Sequence, residues 1–336
     1  MLTKLPIFKF SVAVLILTVS FLPALSVSAQ EVSSDEPLSL ARPPTNLLFH
    51  NNHSQYEDRY HEVWALIEQN TMYPERLTNW KSWEHRFDGQ LHSDTSALEA
   101  ANELVAVLGD EYTYYKDPIA TRVRELEYEQ KNVVCSRMEQ ETIGYIQIKT
   151  FASRYVASEF EEALEKTAIA SSYIIDLRGN RGGSVDEAFK VFSMLVDQGQ
   201  FVHIVGRLYG REYDETLALT PRKLAVKTNG VRTFRTRVAN KTGRKPMIVL
   251  VDNNTRSASE MLAGALQDNG RAKLLGQKTY GKGVVQNTWI LDDGSSIKIA
   301  IGRYYLPSGV CINGQGLTPD SPFSENTPQP LSMSLR

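Results

Sequence analysis

The chain has 336 residues, a formal net charge of −2, 42% hydrophobic residues and 23% charged residues. This is ordinary globular composition, and the length allows one large domain or two modest ones. A charge so near neutrality implies neither nucleic acid nor an anionic membrane surface as partner.

Residues 1–29 read as a secretory signal peptide. Lys4 and Lys9 give a basic start, residues 10–22 an apolar run, and Val27-Ser28-Ala29 a small-residue cleavage site. Ser20 and Pro23 favour cleavage over an uncleaved membrane anchor. No later segment is long and apolar enough to span a bilayer. The expectation is therefore an extracytoplasmic protein (periplasm, lumen or secreted space) without stable membrane insertion. Residues 30–52 are polar, contain Pro37, Pro43 and Pro44, and read as a flexible lead-in.

Residues 53–117 read as a small helical N-terminal domain. Tyr60, Val63, Trp64 and Ile67 fall on one face of a first helix. Trp80, Trp83 and Phe87 mark a second. Asp94-Thr95-Ser96 cap a third, carried by Leu98, Ala101, Leu104, Val105 and Leu108. Residues 118–132 are charged, helical in pattern, and read as a linker with a solvated face.

The period then changes. Residues 143–149 alternate like a strand, and Phe160, Ala163 and Leu164 mark a helix. Residues 173–177 form a short apolar strand, residues 185–196 a helix, and residues 247–251 another buried strand. Strand and helix in repetition predict an α/β core with a mostly parallel sheet over residues 133–325, followed by a tail from 326 to 336. Cys135 and Cys311 are the two cysteines, either paired or both buried as thiols. Neither has a histidine or cysteine at metal-ligand spacing, and there is no His-Glu-x-x-His, so neither a metal nor an organic cofactor is expected.

Reactive groups in open α/β sheets collect at the carboxyl ends of strands. Two loops qualify, residues 178–183 and residues 252–257. Ser257 and Ser259 stand where the second loop becomes a helix, and unpaired N–H groups at a helix start can hold an oxyanion. Gly182 and Gly183 could bring backbone N–H groups close to the same point. Taken singly, such serines are most often plain N-caps, and such glycines only a turn.

A nucleophilic serine needs a proton acceptor. Five histidines, His50, His53, His61, His85 and His92, lie in the lead-in or the helical region, and His203 reads as a structural strand residue. Lysine can serve if burial lowers its pKa from about 10.4 towards about 7–8. Lys282, flanked by Gly281 and Gly283, is the candidate, although alone it reads as a solvated turn lysine.

Together these segments resemble the C-terminal processing peptidases, or tail-specific proteases, a family of Ser–Lys serine endopeptidases. The matching residues are Ser257-Ala258-Ser259-Glu260, Gln267-Asp268, Gly270-Arg271-Ala272, Gly276, Thr279-Tyr280-Gly281-Lys282-Gly283 and Val285-Gln286. The earlier loop, Asp176-Leu177-Arg178-Gly179-Asn180-Arg181-Gly182-Gly183, matches too, with Arg181 where the family has proline. The resemblance implies a crotonase/ClpP-like α/β catalytic core behind a helical N-terminal domain. It places the nucleophile on Ser257, the base on Lys282 and a lysine-orienting role on Gln286. It puts the oxyanion between the N–H groups of Ala258 and of Gly182 or Gly183. Substrates would be proteins or peptides. Along a straight strand Gln286 would share a face with Lys282 but lie out of reach, so a bend is required.

Members usually carry a PDZ domain after the helical region. About twenty residues separate Leu108-Gly109-Asp110-Glu111-Tyr112-Thr113 from the core here, too few to build one. The expectation is a PDZ-less member. Two rivals remain: a peptide-binding scaffold on an inactive peptidase fold, disfavoured by intact Ser257, Lys282 and Gln286, and a crotonase-type acyl-CoA enzyme, disfavoured by the Ser–Lys spacing.

Overall fold

The computed structural model of the chain describes residues 54–221, 223–236 and 239–322. The expected signal peptide, lead-in and tail lie outside these residues.

Helices come first. α1 (Gln55–Asn70) starts on Ser54, whose hydroxyl accepts the Glu57 N–H while the Glu57 carboxylate accepts the Ser54 N–H. A cap of this kind stabilises a helix by about 1 kcal/mol. The α1 face of Tyr60, Val63, Trp64 and Ile67 is buried, as its spacing predicts. α2 (Lys81–Glu84) is a single turn rather than the longer helix expected there. The carbonyls of Trp80 and Trp83 accept bonds from Trp64 Nε1 and Tyr60 Oη, which anchors this segment to α1 as a series of turns. α3 (Asp94–Ala106) is capped by Ser93 rather than Asp94, through exchanged bonds with Ser96.

β1 (Tyr114–Lys116) leads to α4 (Pro118–Tyr128), which Asp117 caps and Pro118 opens. Only Thr121 of α4 is buried, consistent with a solvated helix, yet Ile119, Val123 and Leu126 are exposed as well. The remaining elements are β2 (Val134–Glu139), β3 (Ile143–Ile148), α5 (Val156–Lys166), β4 (Ser172–Asp176), α6 (Val185–Leu195), β5 (Gly199–Leu208), β6 (Arg211–Leu219), β7 (Lys223–Thr228) and β8 (Val231–Thr236). They continue with β9 (Met247–Val251), α7 (Ala258–Asp268), β10 (Lys273–Gly276), β11 (Val284–Ile290), β12 (Ser296–Tyr305) and β13 (Ser321–Pro322).

Two sheets result. One has the order β13-β10-β9-β4-β3-β2 and is parallel except for β2. This is the sheet that the strand–helix repetition predicts. The second, β1-β12-β5-β6-β7-β8 with β11 also on β12, is antiparallel and was not legible as a separate sheet. Two of its hairpins, β5–β6 and β7–β8, turn at Tyr209-Gly210 and Asn229-Gly230, where both residues of each pair have positive φ, the geometry that suits tight two-residue turns.

Alternation on the parallel strands divides two faces. Ile146, Ile148, Ile175, Val249 and Val251 enter the main core with α5, α6 and α7. Ile143, Tyr145, Ile174, Ile248 and Leu250 form a smaller cluster on the other face. Trp289, Ile297, Ile299 and Ile301 of β11 and β12 share a core with α1 and α3, so the helical region is packed onto the antiparallel sheet. Cys135 is exposed, Cys311 is half-buried and both are free thiols, so neither expected arrangement of the cysteines is found.

Candidate active site

The two loops at the carboxyl ends of β4 and β9 are tied together. The Thr255 hydroxyl donates to the Leu177 carbonyl at 2.9 Å, and the Asp252 carboxylate accepts the Gly179 N–H at 3.0 Å. The Arg256 N–H donates to the Asn180 carbonyl at 3.1 Å. This frame holds Ser257 at φ 58° and ψ −123°, a conformation strained for any residue with a Cβ. The Ser257 N–H donates to Glu260 Oε2 at 2.8 Å, and its carbonyl accepts the Met261 N–H at 2.9 Å. The two serines are thereby distinguished. Ser259 is fully buried and its hydroxyl donates to the Asn180 carbonyl at 3.2 Å. Ser257 lines an open cleft.

Gly182 lies directly against this turn. A Cβ there would sit 2.6 Å from the Arg256 carbonyl oxygen and 2.9 Å from Ser257 Cβ, and its φ is +83°. The Gly182 N–H is already donated to Asn180 Oδ1 at 2.9 Å. Gly183 is exposed, and among the described residues neither its N–H nor that of Ala258 has a protein acceptor. Of the two glycines, Gly183 is thus the one with a donor to spare. Arg181, in the place of the family's proline, is exposed.

Lys282 is reached through Glu260. This carboxylate is fully buried. Its Oε1 accepts the Thr279 hydroxyl at 2.5 Å and the Gly281 N–H at 2.7 Å, while Oε2 accepts the Lys282 N–H at 2.9 Å besides that of Ser257. One oxygen therefore holds the backbone nitrogens of Ser257 and Lys282 within about 6 Å of each other. Burial pushes the Glu260 carboxyl up, opposed by its four donors.

The Lys282 ammonium nitrogen donates to Gln286 Oε1 at 2.5 Å. Lys282 lies in the turn before β11, so the contact does not run along a straight strand, and the register of β11 on β12 slips between Val285 and Gln286, with Ile301 of β12 as the extra residue. Gln286 Nε2 in turn donates to the carbonyl of Tyr112, which fixes the amide so that its oxygen faces the lysine. The Tyr112 ring lies 5.3 Å from Lys282 Nζ. Among the described residues no carboxylate pairs with Lys282. Burial, then the like charges of Arg256 and Arg124, bring its pKa down to about 8. Crowding by Gly281 and Gly283 is as the sequence implies: a Cβ at either would meet backbone nitrogen at 2.6 Å.

Ser257, Lys282, Gln286, Gly182 and Gly183 all line one cleft of about 1080 Å³, with α4 along its rim. His203 stands apart, paired with Asp214 Oδ2 at 3.1 Å across β5 and β6. Two contributors escaped the sequence reading. Glu260 had a usable signal, since Ser-x-x-Glu before an apolar run is a capping box, although its second pair of donors has none. Tyr112 acts through its carbonyl, which leaves no mark on residue type.

Residues 142–323, more than half of the chain, match peptidase family S41. Over 189 residues the chain is 34% identical to carboxyl-terminal-processing peptidase 2, chloroplastic, of Arabidopsis thaliana, covering 56% of this chain and 33% of that protein. Over 192 residues it is 33% identical to the carboxy-terminal-processing protease of Bartonella bacilliformis, covering 56% and 40%. The match thus spans well under half the length of these curated relatives. The fold resembles a photosystem II D1 C-terminal processing protease (TM-score 0.60, 18% identity, 81% of this chain and 94% of that one). It also resembles a lipoprotein from Streptococcus agalactiae (TM-score 0.62, 18% identity, 83% and 96%). With a mixed α/β core behind a helical N-terminal region and the motifs of both strand-end loops in one cleft, the chain belongs to peptidase family S41.

Proposed function

We propose that the chain is an exported serine endopeptidase that hydrolyses peptide bonds in the C-terminal regions of protein substrates. Ser257 is the nucleophile, Lys282 its base, and Gln286 the residue that orients the lysine. The observation that carries this reading is the single Glu260 oxygen bonded to the N–H groups of both Ser257 and Lys282. This tether joins two segments 25 positions apart in sequence and sets both residues on one cleft.

The chemistry follows from the groups in place. Neutral Lys282 takes the proton of Ser257 Oγ, and Oγ attacks the peptide carbonyl carbon. The Ala258 and Gly183 N–H groups receive the resulting oxyanion. One such donor contributes about 10²–10³ in kcat. Lys282 returns the proton to the leaving amine, and water then hydrolyses the acyl-enzyme. The bond to Gln286 Oε1 uses one amine N–H and leaves the amine lone pair available for the Ser257 proton.

Action near substrate C-termini is supported by the names of the curated relatives. Between Thr113 and β2 the chain forms β1 and α4 only, which supports tail selection without a PDZ module at that point. Export is supported by the pattern of residues 1–29. Among the described residues, no helix is long and apolar enough to cross a membrane.

The test is cleavage of a denatured protein by the wild type, Ser257→Ala and Lys282→Ala, with far-UV circular dichroism to verify folding. Loss of turnover in both folded variants is expected. Turnover surviving in either variant removes the mechanism. Peptide binding without turnover in the wild type would instead favour the scaffold reading.

A further inference from the structure

Away from the cleft, the helical region brings together two imidazoles and a carboxylate. His61 lies on α1, while His85 and Asp88 lie in the turns after α2. His61 Nε2 is 3.1 Å from Asp88 Oδ1, and His85 Nδ1 is 2.9 Å from Asp88 Oδ2. The three potential ligand atoms all lie within 4.8 Å of one another. Tetrahedral coordination with bonds of about 2.0–2.2 Å separates ligand atoms by roughly 3.3 Å. Each imidazole nitrogen is already near that separation from one of the two Asp88 oxygens.

The cluster is also held in place from outside. The Gly89 N–H donates to Glu57 Oε1 at 2.5 Å, which clamps the turn carrying Asp88 onto α1. The Tyr60 hydroxyl donates to the Trp83 carbonyl at 2.6 Å, and the Trp64 indole to the Trp80 carbonyl at 3.0 Å. His61 is 4% exposed and supplies a dry wall, whereas His85 is 64% exposed and leaves an entry path. Ligands set on a braced frame, with one side open to solvent, are what a metal ion needs to enter and stay.

We propose that His61 Nε2, His85 Nδ1 and one carboxylate oxygen of Asp88 form a binding site for a divalent transition metal, Zn²⁺ by preference, that staples α1 to the turns after α2. Two imidazoles and one carboxylate suit Zn²⁺ and disfavour Mg²⁺ and Ca²⁺, which take oxygen donors. Three protein ligands leave a fourth position for water. On binding, Asp88 exchanges its two hydrogen bonds to the rings for one bond to the metal, and each ring nitrogen presents its lone pair instead of a proton. Cysteine spacing could not reveal the site, because the histidines stand 24 positions apart and no cysteine takes part. The proposal is independent of the peptidase reading.

The experiment is calorimetric titration of the tag-free, chelator-treated full chain with ZnCl₂, and separately with MgCl₂ and CaCl₂. Alongside it runs the visible spectrum of the Co²⁺-loaded protein. The expected result is one equivalent of Zn²⁺, no saturable Mg²⁺ or Ca²⁺ binding, and the intense d–d bands of a four-coordinate Co²⁺ ion. Exposed His85→Gln and Asp88→Asn keep the α1 core intact. Each should weaken Zn²⁺ binding by more than ~10-fold and abolish the Co²⁺ bands. His92→Gln, an exposed histidine outside the cluster, should change neither. Absence of saturable Zn²⁺ binding by the wild type, or equal binding by His85→Gln and Asp88→Asn, would overturn the proposal and leave the three side chains as a hydrogen-bonded network.

Discussion

Replacing Glu260 with glutamine asks whether one buried carboxylate holds the nucleophile and the lysine together. Its Oε2 serves the N–H groups of Ser257 and Lys282, and its Oε1 serves the Gly281 N–H and the Thr279 hydroxyl. An amide has only one oxygen. With its NH₂ towards Ser257 and Lys282, two N–H groups lose their acceptor and face a donor. With its NH₂ towards the other pair, the Gly281 N–H is orphaned. The Thr279 hydroxyl can turn to accept, but it already accepts the Leu317 N–H at 2.7 Å, and its own proton is then left without a partner. The second arrangement is the cheaper. One orphaned buried N–H costs about 1–3 kcal/mol, and bonds that were charge-assisted at about 1.5–3 kcal/mol fall to about 1 each. Removing a buried charge returns part of this. The net expectation is a loss of about 2–4 kcal/mol of stability. A displacement of about 1 Å between the reacting groups costs on the order of 100-fold in rate. Urea unfolding measures the first effect and kcat/KM the second. Stability within about 0.5 kcal/mol of wild type together with activity within about twofold would refute the reasoning.

Three further outcomes are expected. The working form of Lys282 is the neutral amine and its pKa is about 8, so kcat/KM should rise with pH and level off above that value. At pH 6 roughly 1% of the plateau should remain, and an acid limb centred below about pH 6 would contradict the assignment. Gln286→Glu places a negative charge beside the amine and favours the ammonium, so the limb should move up by about 1 unit or more, with activity partly restored at high pH; an unmoved limb would show that Gln286 does not face the lysine. Gly182→Ala forces a Cβ to 2.6 Å from the Arg256 carbonyl oxygen, so cleavage should fall sharply in a chain that still melts cooperatively, and wild-type kinetics would mean that the turn relaxes freely.

Much of the site was legible because its chemistry sits in short contiguous segments. Ser257-Ala258-Ser259-Glu260 and Thr279-Tyr280-Gly281-Lys282-Gly283 each carry their own backbone logic, a helix start in one and a crowded turn in the other. The parallel sheet was legible for a similar reason, since residues 173–177 and 247–251 are short apolar runs followed by helical patterns. What depended on side chains and carbonyls meeting across long separations was not legible. The antiparallel sheet arises from hairpins between partly buried strands with irregular alternation, such as β5, and ends on β8, whose residues are almost all exposed. The choice between Gly182 and Gly183 turned on Asn180 Oδ1 taking one of the two N–H groups, which no spacing reveals. The reach from Lys282 to Gln286 had no marker in residue spacing, because Lys282 lies in the turn before β11 and the register slip falls on Ile301 of β12, beside Gly302.

The Tyr112 carbonyl is a main-chain oxygen, so no side-chain substitution deletes it; the chain can withdraw it only by moving the segment that carries it. β1 follows two positions later and is three residues long, held by its pairing with β12 and by the Thr113 hydroxyl accepting the Ala300 N–H. Fraying of this short edge would release Gln286 and let the amine swing into water, where it would recover its proton and fall silent with every reacting group still intact. Heat or mild denaturant should therefore extinguish turnover before the main core melts, so that latency in this chain would be a matter of edge pairing rather than of a plugged cleft.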